Sequence, residues 1–431
     1  MNKSDVIIIG AGAAGLFAAH TLVKAGKKVT VLEARNRIGG RIHTVGNARF
    51  AGHAELGAEF VHGNLPVTLN LLHQAGIAYI PVSFEMWQYH NDTFSQSNEF
   101  VEKFDELLEK INDLQEDMPL HDFLKMNFSQ PEYDTMRLQV ENYVAGYDTA
   151  DIHDVSAFAL RNEWNHEDED AQHRLVPGYA SVIHYLAKTC TDAGSEIVLN
   201  SVAKEVVWHN NHVKVLTASG SIYEAQKVIV ALPLGVLQSD AASEGAITFN
   251  PHIPQQQSAI QDMGFGALIK IVLEFDAPFW ENATGTNLST MGFLFTDEAV
   301  PTYWTQAPAH SPIFTGWLGG PPALAKKDAP AEEILQEVLT ALGNVFSMDK
   351  DTLKEKLVAW HVVNWTAEPY TRGSYAYDKV ASPGARAVLL QPVQDTVYFA
   401  GEYLYDGPAM GTVEAALTSG KATAEQLMKN V

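Results

Sequence analysis

The chain has 431 residues, of which 46% are apolar, and its 29 Lys and Arg against 52 Asp and Glu give a formal net charge of −23. This length suits roughly two or three domains with large cores, and the composition argues against a fibrous or disordered chain. The excess of carboxylates repels phosphate groups, which argues against nucleic acid as a partner. Two interpretations of the acidity stay open: it keeps the protein soluble, or it steers cationic substrates towards a cleft.

Cysteine content and hydropathy indicate the compartment. Cys190 is the only cysteine, which excludes an internal disulfide and indicates a reducing environment. The apolar run at residues 6–9 is too short for a signal peptide, and no apolar stretch approaches roughly 18 residues. We therefore expect a cytoplasmic protein without a membrane anchor, either a monomer or a homodimer.

The pattern of apolar residues predicts strands and helices along the whole chain. The first part has strands at 5–9 and 28–32 around a helix at 13–25. An amphipathic helical segment at 99–126 is expected to lie outside the opening sheet. Further strands are predicted at 197–199, 206–208, 213–215, 228–230, 267–275 and 396–400, followed by a closing helix at 412–428.

This order of elements predicts an α/β protein with a discontinuous nucleotide-binding region. We expect a Rossmann-like dinucleotide-binding domain formed by residues 1–75, 195–255 and 391–431. Residues 76–194 and 256–390 are expected to form an inserted substrate-binding domain.

A dinucleotide-binding fingerprint joins the first strand to the first helix. Gly10, Gly12 and Gly15 form a GxGxxG motif, and Glu33 stands at the end of the second strand. The first glycine allows a tight turn, the second lets the backbone approach a pyrophosphate, and the third permits close helix packing. An acid at the strand end accepts hydrogen bonds from ribose hydroxyls. These residues alone leave both FAD and NAD open.

The residues after Glu33 carry a family resemblance. The run Glu33-Ala34-Arg35-Asn36-Arg37-Ile38-Gly39-Gly40-Arg41 resembles the second glycine-rich signature of FAD enzymes in the flavin-containing amine oxidase family. Further matches to that family follow in order at residues 56–63, 231–237, 270, 280, 364–365, 373–375, 399–402 and 411–414. The chain therefore resembles the monoamine and polyamine oxidases over nearly its whole length, which implies an FAD-binding domain of the glutathione-reductase and amine-oxidase type.

The resemblance implies catalytic roles for three residues. Lys270 is unusual within an apolar strand, because an unpaired buried ammonium costs several kcal/mol. It either pairs with a carboxylate, reaches solvent or has a function. By resemblance, Lys270 holds a water against flavin N5 and assists oxygen activation. Trp365 packs near the flavin, and Tyr375 forms one wall of an aromatic cage that orients the amine.

Three more residues are expected on the substrate side. Glu59 and His62 stand where polyamine-oxidising relatives carry acidic or imidazole groups, although either is also compatible with an ordinary loop residue. Thr412 occupies the position of the second cage tyrosine of some relatives, so their substrate preference does not carry over. Carboxylates such as Glu59 near a channel mouth favour polycations, and this keeps the steering interpretation of the net charge open.

The resemblance also implies the residues that bind FAD, which come from the glycine-rich segments, two strand ends and the start of the closing helix. They are Gly10, Gly12, Ala14, Gly15, Glu33, Ala34, Arg35, Gly40, Arg41, Gly57, Ala58, Glu59, Ala203, Trp365, Gly401, Glu402, Thr412 and Val413. Ser374 stands where animal monoamine oxidases have a flavin-bound cysteine. Serine cannot form that thioether, so FAD is expected to bind non-covalently.

No metal site is predicted. The acidic run at 166–170 together with His173 lacks the spacing of a metal motif and is expected to be a solvated loop.

The function implied by resemblance is that of an FAD-dependent amine oxidase. Such an enzyme oxidises a primary or secondary amine, either a polyamine or a monoamine, with O2. The products are an imine or aldehyde, a smaller amine or ammonia, and H2O2. One alternative is an L-amino-acid oxidase of the same superfamily, with Arg161 or Arg372 facing the substrate carboxylate. The other is an FAD-binding desaturase or a non-catalytic flavoprotein, in which Lys270 and Tyr375 are incidental.

Overall fold

The structure is a computed structural model that describes residues 4–46, 50, 52–83, 85–96, 101–166, 172–282 and 285–429. The strands are β1 (Ser4–Ile9), β2 (Val29–Leu32), β3 (Thr44–Gly46), β4 (His53–Glu55), β5 (Phe60–His62), β6 (Tyr79–Pro81), β7 (Glu85–His90), β8 (Thr93–Gln96), β9 (Gln172–Leu175), β10 (Glu196–Val198), β11 (Ala203–His209), β12 (His212–Thr217), β13 (Ile222–Val230), β14 (Thr248–Asn250), β15 (Gly264–Phe265), β16 (Leu268–Phe275), β17 (Met291–Thr296), β18 (Thr302–Trp304), β19 (Ile313–Gly319), β20 (Leu357–Asn364), β21 (Ala376–Tyr377) and β22 (Val397–Phe399).

The helices are α1 (Ala13–Lys24), α2 (Pro66–Ala75), α3 (Phe104–Asn112), α4 (Leu120–Asn127), α5 (Asp134–Tyr143), α6 (Ala157–Trp164), α7 (Ala180–Asp192), α8 (Leu234–Leu237), α9 (Pro254–Gln261), α10 (Gly320–Ala325), α11 (Ala331–Phe346), α12 (Lys350–Lys356), α13 (Ser382–Leu389) and α14 (Val413–Lys429). A π-helical turn, Val144–Asp148, follows α5. In the part of the chain that the structure describes, no helix has both the length and the apolar character needed to cross a membrane.

The main sheet joins strands that are far apart in the sequence. Its order is β10-β2-β1-β13-β12-β11-β14, with β22 beside β13. Strands β10, β2, β1, β13 and β22 run parallel. Parallel strands covered on both faces are apolar along their whole length, as the buried β1 and β2 are. The predicted strands in these regions are confirmed to within a few residues.

Two helices from opposite ends of the sequence pack on one face of this sheet. Helix α1 follows β1, and α14 packs against it so closely that a Cβ atom at Gly420 would lie 2.2 Å from the carbonyl oxygen of Ala14. The apolar residues of both helices share one buried cluster with the sheet. As a result, the N-terminal ends of α1 and α14 lie near the carboxyl ends of the parallel strands.

A second sheet has the order β20-β16-β19-β18-β17-β7-β8. Strand β16 is buried at every position and confirms the predicted strand at 267–275. The described part of the predicted amphipathic segment forms α3 and α4, which pack with α5 and α6 in a cluster of their own. A small sheet, β5-β9-β6, brings β9 beside β5. The α/β class is confirmed, whereas the predicted domain boundaries stay a prediction.

Candidate active site

A cavity of about 1030 Å³ lies at the carboxyl ends of β1, β2 and β13. Residues at the N-terminal ends of α1 and α14 line it on this side. The same cavity continues to the second sheet, where side chains of β16, β17, β18 and β19 line it: Lys270, Phe293, Trp304 and Trp317. The carboxyl end of a parallel sheet is where α/β proteins bind nucleotides.

The three fingerprint glycines have different surroundings. Gly10 has a φ of +108°, a conformation that favours glycine, and a Cβ atom there would lie 2.6 Å from the carbonyl oxygen of Ala231. A Cβ atom at Gly15 would lie 2.0 Å from the carbonyl oxygen of Gly10, so Gly15 serves packing and does not line the cavity. Gly12 lines the cavity and has open space where a side chain would project. Backbone N–H groups at the start of α1 are therefore open to an anion.

The acidic strand end is held by backbone N–H groups. Glu33 is 3% exposed, and its two carboxylate oxygens accept hydrogen bonds from the N–H groups of Ala11 and Arg35, both at 2.9 Å. The Arg35 guanidinium also pairs with Glu368. Glu33, Ala34, Arg35 and the start of β11 at Ala203 all line the cavity. These residues form the end of the cavity suited to a ribose and its base.

The opposite end of this cofactor region is built from four segments. Arg41 donates to Glu402 at 2.9 Å, and it also donates to the carbonyl of Ser374. Thr412 caps α14, because its hydroxyl accepts a hydrogen bond from the N–H of Ala415 at 3.3 Å. The remaining predicted cofactor residues here also line the cavity: Gly40, Gly57, Ala58, Gly401 and Val413. The positive end of the α14 dipole therefore faces the cavity beside the Arg41–Glu402 pair.

The residues at these two ends can be compared with the parts of a flavin dinucleotide. The open space at Gly12 suits a pyrophosphate, and the carboxylate at Glu33 suits a ribose. The N-terminus of α14 suits the negative charge that reduction places on a flavin ring. The residues therefore fit the flavin predicted from the sequence.

Lys270 is fully buried and is paired. Its Nζ donates to Oε2 of Glu59 at 2.7 Å and to the carbonyl oxygen of Gly57 at 3.0 Å. Glu59 also accepts from Trp304 at 3.0 Å, and it lies 3.0 Å from a guanidinium nitrogen of Arg174. The carboxylate predicted as a possible partner of Lys270 is therefore Glu59, and both residues line the cavity.

Electrostatics around Glu59 favour its charged form. Burial alone would raise the pKa of the Glu59 carboxyl, but the charges of Lys270 and Arg174 outweigh it and hold the pKa below its ordinary value. Burial lowers the pKa of His62, although Gln172 and Glu59 oppose that shift. His62 lines the cavity in its neutral form, with its ring 6.4 Å from that of Tyr147.

Two predicted aromatic residues are fixed by backbone carbonyls. Trp365 is 2% exposed and donates from Nε1 to the carbonyl oxygen of Leu56 at 2.9 Å. The Tyr375 hydroxyl donates to the carbonyl oxygen of Tyr147. Burial and the nearby carboxylates of Asp148 and Glu163 raise the pKa of Tyr375 well above its ordinary value. Both rings line the cavity, and Tyr375 lines it as a neutral phenol.

The sequence did not point to the π-helical turn at Val144–Asp148. Three of its residues, Gly146, Tyr147 and Asp148, line the cavity. The Gly146 carbonyl accepts from Trp317 at 2.7 Å, and the Tyr147 carbonyl accepts from Tyr375. A π-turn frees carbonyl groups from the regular helix ladder, and no residue pattern in the sequence marks it. Arg174 and Gln306 were also missed, because they meet Glu59 only through the pairing of distant strands.

Some sequence expectations lie away from the cavity. Arg161 donates to the carbonyl of Leu114, and Arg372 donates to the carbonyl of Glu244. Neither lines the cavity, so neither is placed to face a substrate carboxylate there. The acidic run predicted as a solvated loop lies mostly outside the described residues. Among the described residues, no group of three metal-ligating side chains could hold a metal ion.

Together, these features define a dinucleotide-binding α/β protein whose cofactor cavity continues into an aromatic pocket with a buried lysine. The sequence matches the family of flavin containing amine oxidoreductases over residues 13–428, and the chain belongs to that family. The description of this family is of oxidoreductases that contain a flavin and act on amines.

Relatives of known type agree with this family. The chain is 30% identical over 447 residues to lysine-specific histone demethylase 2 of Homo sapiens, with 93% of this chain and 50% of that protein covered. It thus spans about half the length of that relative. It is 29% identical to polyamine oxidase 2 of Arabidopsis thaliana, with 100% of this chain and 89% of that protein covered.

Solved structures share the fold at lower identity. Putrescine oxidase bound to putrescine has a TM-score of 0.79 at 23% identity, with 99% of both chains covered. Cyclohexylamine oxidase from Brevibacterium oxydans has a TM-score of 0.80 at 20% identity, again with 99% of both chains covered.

Proposed function

We propose that this protein is an FAD-dependent oxidase of small amines that uses O2 as its electron acceptor. The observation that carries the proposal is the buried Lys270, which lines the cavity together with the Tyr375 ring. Polyamine oxidase 2 and putrescine oxidase, which this chain resembles, are named for oxidation of di- and polyamines. In the balanced overall reaction, the amine, O2 and water give an aldehyde, a smaller amine or ammonia, and H2O2.

The chain's residues would divide the work between binding and orientation. Bound FAD supplies the acceptor for the two electrons that leave the amine. Gly12, Glu33 and the start of α14 would hold the FAD. The FAD would bind non-covalently, because Ser374 cannot form a thioether. The Tyr375 ring would orient the amine nitrogen, because an aromatic face attracts a cation and also packs against a neutral amine.

The buried walls exclude water from the reacting carbon, and Lys270 would hold a water at the cofactor for the reaction with O2. His62 and Tyr375 are both neutral, so neither of them places a second cation beside the bound amine. The cytoplasmic location and the choice between monomer and homodimer stay predictions.

Anaerobic titration tests this function. The purified flavoprotein is mixed without oxygen with putrescine, spermidine, benzylamine, an L-amino acid and a lysine-containing peptide in turn, and the flavin absorbance is followed. Bleaching by an amine followed by H2O2 formation on admission of O2 is the expected result. Bleaching by the L-amino acid alone would favour the amino-acid oxidase alternative. No bleaching by any compound would overturn the proposal.

The peptide arm addresses a second candidate. Lysine-specific histone demethylase 2 is named for action on a protein lysine, and it is as similar in sequence as the polyamine oxidases. Faster bleaching by the peptide than by free polyamines would favour a lysine within a protein as the substrate of this chain.

A further inference from the structure

The Glu59 carboxylate is the centre of a buried network that joins four segments of the chain. It pairs with Lys270 of β16 at 2.7 Å and with Arg174 of β9 at 3.0 Å. It also accepts hydrogen bonds from Trp304 of β18 and from Gln306, at 3.0 and 3.1 Å. One carboxylate thus serves two cations and two neutral donors.

The two carboxylate oxygens of Glu59 bind different partners. Oε2 faces the cavity side and binds Lys270 and Trp304, whereas Oε1 binds Arg174 and Gln306. Arg174 is in turn fixed, since it donates to the Thr305 carbonyl at 2.8 Å and lies over the Phe60 ring at 4.4 Å. Oε1 is therefore anchored to a rigid partner, and this fixes the direction in which Oε2 presents itself to Lys270.

Within the described part of the chain, the Lys270 ammonium donates two hydrogen bonds and has one donor left. An ammonium carries three N–H groups. One binds Glu59 and one binds the Gly57 carbonyl. The two acceptors fix the position of Nζ and therefore the direction of the third N–H group. Lys270 is one of the residues that line the cavity.

We infer that Glu59 is a positioning residue that holds the Lys270 ammonium charged and aimed at the cofactor cavity during the reaction with O2. This inference rests on the proposed function for the identity of the oxidant. The titratable groups that face Glu59 or Lys270 are Arg174, Glu55 and His62. With Glu59 gone, Lys270 and Arg174 would be two buried cations that keep backbone carbonyls as hydrogen-bond acceptors but lose the carboxylate that lies between them.

The test separates the O2 reaction from the amine reaction. The flavoprotein is reduced anaerobically with one equivalent of dithionite in the absence of any amine, and its reoxidation by O2 is timed for the wild type, E59Q and K270M. We expect E59Q to reoxidise roughly tenfold more slowly, in the direction of K270M, because charge at the reaction centre is worth this much or more.

A second readout does not depend on turnover. The visible spectrum of the oxidised flavin responds to charge beside the ring, so E59Q and K270M should shift it alike. The matched control is E55Q: Glu55 is a neighbouring buried carboxylate that bonds the N–H of Tyr179 and the hydroxyl of Thr44 instead of Lys270. E55Q should change the reoxidation rate and the spectrum much less than E59Q does, because Lys270 donates to Glu59 and not to Glu55.

The outcomes are distinct. Wild-type reoxidation and an unshifted spectrum in E59Q would overturn the inference. If E59Q fails to hold FAD, E59D decides the question, because a shorter acid cannot reach Lys270 and Arg174 together. A slowed E59D supports the inference, and an unchanged E59D overturns it. If no amine reduces the protein while E59Q still slows reoxidation, the proposed amine substrate fails and the role of Glu59 stands.

Discussion

Gly15 lies so close to Gly10 that a Cβ atom at Gly15 would stand 2.0 Å from the Gly10 carbonyl oxygen. Gly12, two residues from Gly10, has no atom within 4 Å of the corresponding point and opens onto the cavity. One glycine of the fingerprint therefore packs against backbone, and another opens onto the cavity.

This contrast predicts opposite effects for two small substitutions. G15A should destabilise the protein by about 1–3 kcal/mol or more, because an extra methyl group is forced against backbone. G12A should keep the melting temperature of the apoprotein but weaken FAD binding, because its methyl group occupies the space of the pyrophosphate. Thermal unfolding of the apoprotein and FAD titration measure the two effects. Equal losses of stability in both variants would contradict this division.

K270M should affect the reaction with O2 more than any other step. We expect reoxidation to slow by roughly tenfold or more, while FAD affinity changes little, because the pyrophosphate and ribose contacts lie elsewhere in the cavity. Stopped-flow reoxidation and FAD titration check both parts. K227M is the matched control: Lys227 is also buried, but it pairs with Asp395 and does not line the cavity. A normal O2 reaction in K270M would remove Lys270 from its proposed role.

Y375F tests whether the Tyr375 hydroxyl is an anchor or an acid. The hydroxyl donates to the Tyr147 carbonyl, and burial raises its pKa well above the ordinary value. Its loss should lower kcat/KM by roughly threefold to tenfold through a less ordered ring, about the value of one hydrogen bond. The pH profile should keep its shape, whereas loss of one limb of the profile would show that the hydroxyl transfers a proton. Y185F, outside the cavity, is the control.

The buried Glu55 carboxyl should make the free energy of unfolding decrease as the pH rises. Burial raises the pKa of Glu55 from 4.5 to about 7, so the folded protein keeps a proton there that the unfolded chain has lost. Stability from this group is therefore present at low pH and decreases as the pH rises through that window. E55Q lacks the effect, so its stability relative to wild type should rise by about 2 kcal/mol between roughly pH 5 and 8. Urea denaturation at both pH values measures this, with exposed E116Q as the control, and a constant difference would refute it.

The acidic surface predicts a salt effect that depends on substrate charge. Exposed Glu102 and Asp406 line the outer part of the cavity, where carboxylates attract cations. kcat/KM for spermidine should fall several-fold as salt is raised, and kcat/KM for benzylamine should fall less, because screening acts on each charge. Equal salt dependence for both amines would assign the net charge to solubility alone.

Local sequence patterns were sufficient for the strand–helix–strand unit that carries the glycine fingerprint. The glycine spacing from Gly10 to Gly15 and the strand-end Glu33 depend on contacts within one βαβ unit, and the structure has them as expected. Lys270 was singled out because a charged residue in an apolar strand needs a partner. The position of Glu59 as that partner depends on how β16 meets the loop before β5, which a single sequence does not specify.

The substrate side was harder to predict for the same reason. Trp304 and the π-helical turn at Val144–Asp148 line the cavity, and Arg174 pairs with the cavity residue Glu59; these groups come from three separate regions of the chain. A π-turn depends on tertiary contacts, here the hydrogen bonds from Trp317 and Tyr375. The two arginines expected to face a substrate carboxylate, Arg161 and Arg372, pair with backbone carbonyls elsewhere, because residue type alone does not fix the direction of a side chain.

The packing of α14 against α1 makes the cavity depend on contacts between distant parts of the chain. Gly12 and Glu33 belong to one short unit, whereas Glu402 and the cap of α14 line the cavity only after these long-range contacts have formed. Long-range contacts are the slow ones in folding. A cavity complete enough to hold a dinucleotide is therefore expected late in the folding of this domain, after its first sheet and helix have formed.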